Sequence, residues 1–133
     1  MMDRSEALEI ILDHYHNPRN YGDIEGADVS LQGGNPGCGD IVTLYLKFED
    51  DRLAGITYTG AGCTISQAAT SMLTETVRGL TVDEIEALDY KLIEEMLGEE
   101  LVKTRPKCST LGLDTLKVAT RQYNQKRGLQ GLP

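Results

Sequence analysis

The chain has no tryptophan and a single phenylalanine, Phe48, so aromatic packing cannot carry its core. It has no excess of basic charge to offer a phosphate backbone: 13 Lys and Arg stand against 21 Asp and Glu, a net charge of -8. An acidic surface repels nucleic acid, and no nucleic-acid partner is expected. No run approaches the roughly 18 apolar residues that a membrane span needs, so no membrane partner is expected either. The opening MMDRSEALEI lacks a basic stretch followed by an apolar one, so the expectation is no secretory signal and a cytoplasmic location. There is no Walker loop, no dinucleotide fingerprint and no C-x-x-C pair. The three cysteines are odd in number and cannot all pair within the chain. In a reducing compartment that favours metal binding or thiol chemistry.

What is present fits one domain over residues 1–133, with a mostly aliphatic core drawn from the 40% of hydrophobic residues. Leu8, Ile11, Leu12 and Tyr15 have helical spacing, predicting a helix from Ser5 to about Tyr15 that Asn17-Pro18 ends. Ile41 to Phe48 alternates, with Val42, Leu44, Leu46 and Phe48 on one face. Glu49-Asp50-Asp51 reads as a turn, and Leu53 to Thr59 as the returning strand. Asp28 to Gln32 is a more marginal third strand. Thr64 and Gln67 have capping-box spacing ahead of a helix that stops near Gly79, and Thr81 and Glu84 repeat it. A segment from Asp89 to Leu97 stops at Gly98. The last helix is predicted from Cys108 or Ser109 to about Arg127, with Leu113, Leu116, Thr120 and Tyr123 on one face. Strands first and helices after predict an α+β layer architecture.

The stretch GGNPGCGD places Cys38 and Asp40 two residues apart in a glycine-rich loop, where thiolate and carboxylate can converge on one ion. Cys63 and Cys108 each stand at a predicted helix start, whose free N–H groups favour a thiolate. Cys38, Asp40, Cys63 and Cys108 would supply the four ligands of a tetrahedral zinc site, and sulfur-rich sites also suit iron–sulfur clusters. A hard carboxylate among soft thiolates should exchange more readily than a permanent zinc clip. Residue types alone leave another reading open: three small buried hydrophobes, with Asp40 in a solvated turn. His14 and His16 do not share a helix face and read as surface or capping residues.

Four stretches, DHYHNPRNYG, GNPGCGD, GAGCTISQAATSML and RPKCSTLGLDTL, together resemble the iron–sulfur cluster assembly scaffold family of the IscU, SufU and NifU N-terminal type. They run in order from about Leu8 to Tyr123. The resemblance implies a three-stranded antiparallel sheet with helices packed against it. It implies a role as scaffold or sulfur acceptor rather than stand-alone enzyme, with sulfurtransferase activity as one form of that role. Sulfur would arrive as a persulfide from a pyridoxal-phosphate-dependent cysteine desulfurase, and sulfur or cluster would pass to apo iron–sulfur proteins or carriers. It maps the cluster or zinc ligands onto Cys38, Asp40, Cys63 and Cys108, with Cys38 and Cys108 as candidate persulfide acceptors. Zinc is expected in the isolated protein, and iron or a transient 2Fe–2S cluster in function. Two departures matter. Lys107 precedes the third cysteine where IscU-type members carry histidine, so Arg105-Pro106-Lys107-Cys108 follows the SufU-type R-x-K-C pattern. The segment VKTRPKC also replaces the stretch that a dedicated Hsp70 chaperone grips, which argues against that partnership. The SufU-type insertion between the second and third cysteines is absent. These ligand positions leave three readings: a scaffold, a zinc-dependent sulfurtransferase without a cluster of its own, and a purely structural zinc-binding interaction domain.

Overall fold

A computed structural model describes residues 3–35 and 39–130 of the chain. It contains three strands, β1 (Val29–Asn35), β2 (Asp40–Glu49) and β3 (Arg52–Ala61), in one antiparallel sheet of order β1-β2-β3. The helices are α1 (Arg4–His16), α2 (Thr64–Val77), α3 (Val82–Glu86), α4 (Tyr90–Leu97), α5 (Glu99–Thr104) and α6 (Pro106–Gln130). Helices α2 and α6 cover the sheet, and α1 packs on α2. This is the α+β arrangement expected from the sequence, with the three-stranded antiparallel sheet that the resemblance implied.

Alternation in β2 sets the layers. Val42, Leu44, Leu46 and Phe48 are buried against the helices, while Thr43, Tyr45 and Lys47 are only half-buried. Asp40 shares the parity of the inward residues and is 1% exposed, so the alternation that builds the core also turns its carboxylate inward. Asp50 and Asp51 both have positive φ, at 51° and 63°, the backbone of a two-residue hairpin turn that matches strand twist. A bulge opposite Lys47 and Phe48 then resets the parity of β3, so that Leu53 as well as Ile56 and Tyr58 point inward.

The helix punctuation is largely as read. Thr81 and Glu84 form a reciprocal capping box. Gly98 ends α4 at φ 93°. Several details differ. The strand β1 extends to Asn35, three residues beyond the predicted end. The helix α6 begins at Pro106, ahead of the predicted Cys108 or Ser109, because proline is suited to a first helical position. The six-residue α5 was not predicted. On α1 the buried face is Ala7, Ile11 and His14, while Leu8, Leu12 and Tyr15 are exposed. His14 is therefore not a surface residue. Its Nδ1 lies 2.8 Å from Ser71 Oγ and its Nε2 lies 3.6 Å from Glu75 Oε1, which ties α1 to α2.

No helix among the described residues is long and apolar enough to cross a membrane.

Candidate metal centre

Three elements end at one place. Asp40 is the first residue of β2, Cys63 is the N-cap of α2, and Cys108 lies in the first turn of α6. One ligand atom from each falls within 4.8 Å of the other two. Cys38, the fourth residue expected here, lies outside the described residues. Arg105 and Lys107, beside Cys108 in sequence, are both exposed.

The Asp40 carboxylate is the hub. Its Oδ1 accepts the backbone N–H of Cys63 at 2.6 Å. Its Oδ2 stands 3.1 Å from Cys108 Sγ and 3.7 Å from Cys63 Sγ, positions from which either thiol can donate to it. Burial alone would raise the Asp40 pKa. The Cys63 N–H, then the Cys108 thiol, with further contacts to Ser66 and the Cys63 thiol, outweigh burial and hold the carboxyl below its ordinary 3.8. It is an anion at neutral pH.

The two thiols differ. Cys63 is half-buried and caps α2 with its own sulfur, which accepts the Ser66 N–H at 3.4 Å. The sequence suggested Thr64 as the cap, and the helix starts one residue earlier than that. Cys108 is 3% exposed. Burial first, and then the Asp40 carboxylate and the Cys63 thiol, push its thiol well above the ordinary range and keep it protonated. The helix-start argument for a thiolate is thus overridden at Cys108 so long as no cation replaces its proton.

The spacing suits a small cation. With Zn–S near 2.3 Å and Zn–O near 2.0 Å, a tetrahedral site separates sulfur from oxygen by about 3.5 Å. The two observed separations, 3.1 and 3.7 Å, bracket that value. Glycine makes the close approach possible. At Gly62 φ is 140°, and a Cβ there would collide with Asp40 Oδ1 and lie 2.8 Å from Asp40 Cα.

The sequence reading missed the shell around Cys63. Ser66 Oγ donates to the Cys63 carbonyl at 3.1 Å, and Gln67 Nε2 donates to Ser66 Oγ at 3.2 Å and to the Ile41 carbonyl at 3.4 Å. The only sequence signal was the Gln67 position in the supposed capping box, and that pointed to another role.

Comparison with known proteins identifies the family and the fold. The family model of the NifU-like N-terminal domain matches residues 7–130. The chain belongs to this family. Among curated NifU-like N-terminal relatives, it is 41% identical over 125 residues to the iron-sulfur cluster assembly scaffold protein IscU of Aquifex aeolicus, covering 92% of this chain and 79% of that protein. It is 35% identical over 123 residues to the protein of the same name from Escherichia coli, covering 90% of this chain and 94% of that protein. A crystal structure from Fervidobacterium islandicum, described as an iron-sulfur cluster assembly scaffold for the SUF system, superposes with a TM-score of 0.73 at 32% identity. That superposition covers 84% of this chain and 94% of the other. A NifU-like N-terminal protein from Brucella abortus shares the fold, with a TM-score of 0.78 at 22% identity over 93% of this chain and 99% of its own.

Proposed function

We propose that this NifU-like N-terminal domain is an iron–sulfur cluster assembly protein, working in the cytoplasm as one domain. It accepts persulfide sulfur from a pyridoxal-phosphate-dependent cysteine desulfurase. Two electrons from a thiol reductant, which leaves as a disulfide, release that sulfur as sulfide; the chain joins it to iron at Cys38, Asp40, Cys63 and Cys108, and hands cluster or sulfur to apo-proteins or carriers. The observation that carries this reading is the buried Asp40 carboxylate facing two thiols at 3.1 and 3.7 Å. The scaffold function named for the IscU relatives supports it. Cys38 enters as the fourth ligand from its place two residues before Asp40 and from the family resemblance.

The residues divide the work. Asp40 is the anionic oxygen that balances an incoming cation; its Oδ2 accepts from the Cys108 thiol until that cation displaces the thiol proton to solvent. The Ser66 N–H keeps the Cys63 sulfur aimed into the site. Cys108 is too buried to meet a partner's persulfide first, so Cys38 is the favoured first acceptor. In that step the thiolate attacks the outer sulfur of the donor persulfide. The donor S–S bond breaks and the desulfurase cysteine leaves as a thiolate.

Anaerobic incubation with iron, cysteine and a desulfurase is the test. Visible absorption of a cluster is expected, and Cys63→Ala and Cys108→Ala should each abolish most of it. Full cluster yield from either variant would overturn the reading.

A second reading has its own support: the SUF-system neighbour and the Lys107-Cys108 pair. Here zinc is resident, and the chain is a sulfurtransferase partner of the desulfurase that carries no cluster. Bound zinc would supply Lewis-acid stabilisation of the thiolates. Desulfurase treatment of the zinc-loaded protein should then add one sulfur mass without visible absorption.

A further inference from the structure

The ligands come from separate elements, so something must hold those elements in register. Asp40 and Cys63 are joined directly, by the Cys63 N–H to Oδ1 at 2.6 Å and by the Cys63 thiol to Oδ2 at 3.7 Å. A second connection runs through a side chain that touches neither ligand side chain. Gln67, in the second turn of α2, is 8% exposed. Its Nε2 reaches across to β2 and donates to the carbonyl of Ile41, the residue after Asp40, at 3.4 Å. The same nitrogen donates to Ser66 Oγ at 3.2 Å. Ser66 in turn holds Cys63 twice, by Oγ to the Cys63 carbonyl at 3.1 Å and by its N–H to Cys63 Sγ at 3.4 Å. The Gln67 backbone is fixed as well, its N–H bonded to the Cys63 carbonyl and its carbonyl accepting the buried Tyr58 hydroxyl at 3.3 Å.

Room for this reach depends on a missing side chain. A Cβ at Gly60 would lie 2.5 Å from the Ile41 carbonyl oxygen and 2.8 Å from Gln67 Oε1. The amide therefore crosses the gap from α2 to β2 over a glycine of β3. One side chain thus contacts the strand that carries Asp40 and the serine that orients Cys63.

We propose that Gln67 is a positioning residue, a polar latch that fixes the Asp40 carboxylate relative to the Cys63 sulfur and thereby sets how tightly the centre holds a metal. This rests on the reading of Asp40, Cys63 and Cys108 as ligands. Outer-shell partners of metal ligands commonly change affinity by about ten- to a hundredfold when removed. Gln67 acts through two intermediaries, so the lower end is expected.

The experiment uses the full chain, reduced and metal-free, titrated with cobalt(II) alone and then with zinc in competition against a chromophoric chelator. Wild type, Cys63→Ser and Gln67→Met are compared. Gln67→Met keeps the length of the side chain and removes its donors. It should weaken cobalt and zinc binding about tenfold and shift the thiolate-to-cobalt absorption, a signature that a loss of fold stability alone would not move. Gln67→Glu, which removes the N–H donors while staying polar, should fall on the same side of wild type. Wild-type affinity and spectrum in both variants, with Cys63→Ser weakened, would overturn the Gln67 assignment alone. Wild-type binding in Cys63→Ser would overturn the ligand reading beneath it. Should neither Gln67 variant fold, exchange of the Gln67 side-chain amide protons in the wild type serves instead. Zinc is expected to slow that exchange, and an unchanged rate would overturn the proposal.

Discussion

Replacing Asp40 with alanine should weaken the metal-free fold and, at the same time, slow the loss of a bound metal. The two directions come from the two carboxylate oxygens. Oδ1 accepts the Cys63 N–H at 2.6 Å, at the start of α2. Without it a part-buried donor is left unsatisfied, at a cost of about 1–3 kcal/mol. Removing a buried anion returns part of that cost. A net loss of about 1–2 kcal/mol is expected, which for a domain of this size lowers the melting temperature by about 3–8 °C. Asp40→Asn keeps an acceptor for the same N–H and should lose less than half as much. Oδ2 is the oxygen set among the sulfurs, at 3.1 and 3.7 Å. In the variant a thiolate-only set remains, with water completing the coordination, and soft ligands hold zinc longer than a mixed set does. Thermal melts of the apo protein followed by circular dichroism give the first quantity, and zinc transfer to a chromophoric chelator gives the second. An apo Asp40→Ala protein that melts with wild type would refute the role given to Oδ1. Faster zinc loss would refute the role given to Oδ2.

Three further outcomes follow from other parts of the molecule. Burial, and then the nearby Arg19, hold the His14 pKa below 6.5 despite Glu75 and Asp13. The unfolded chain therefore binds the proton more readily, and the His14 contribution to stability is complete above about pH 6.5 and lost as pH falls from there toward the folded pKa. Melting temperatures between about pH 5 and 8 should show this slope, and His14→Gln should flatten it; an unchanged slope would exclude His14 as its source. Gly62→Ala combines a φ of 140° with a collision at Asp40 Oδ1, and should cost about 2 kcal/mol or more in urea denaturation while lowering zinc affinity. Wild-type values for both would show that the turn relaxes freely. Chelation of any bound zinc should leave the far-ultraviolet circular dichroism largely intact, since the aliphatic core is assembled from residues other than the ligands; collapse of the signal would favour the structural-zinc reading.

The sheet was legible because its signals were local. Alternation from Val42 to Phe48 gives the inward face directly, and the same parity extended two residues back accounts for the burial of Asp40. Thr81, Glu84 and Gly98 marked helix ends by capping chemistry that needs no tertiary context. What was not legible depended on neighbours. On α1 the larger apolar side chains Leu8 and Leu12 face out, while Ala7 and His14 face in. The reason lies in α2, which buries Ser66, Thr70, Ser71 and Thr74 and so offers hydroxyls to its surroundings. Ser71 Oγ meets both His14 and the Arg19 N–H. Thr70 and Thr74 satisfy their hydroxyls on carbonyls of their own helix, at 2.8 and 2.7 Å. A polar interior of that kind leaves no hydrophobic periodicity to read. The α2 cap was displaced by one residue because Cys63 and Thr64 both carry side chains able to accept from the first turn, and in the fold it is the Cys63 sulfur that takes the Ser66 N–H. Helix α5 has six residues, too few for a helical period to register.

The placement of the ligands has a consequence for exchange. Asp40 opens a strand, Cys63 caps a helix, and Cys108 sits in the first turn of another. None lies in the middle of an element, and core residues such as Leu44, Leu46, Leu73 and Leu116 lie farther along those same elements. Element ends open at lower free energy than the packed centres, because fewer contacts must break. Under the proposed function, metal or cluster would enter and leave by local movement at Gly62–Cys63 and the first turn of α6, without unfolding the sheet. A structural zinc has the reverse logic, since its ligands hold together a chain that cannot bury enough surface by itself. Here the aliphatic core is assembled from residues other than the thiols, and the Asp40 carboxylate is already held in place by a backbone N–H. Those two features fit the proposed function, since cluster assembly or sulfur relay demands a binding site where cargo stays briefly.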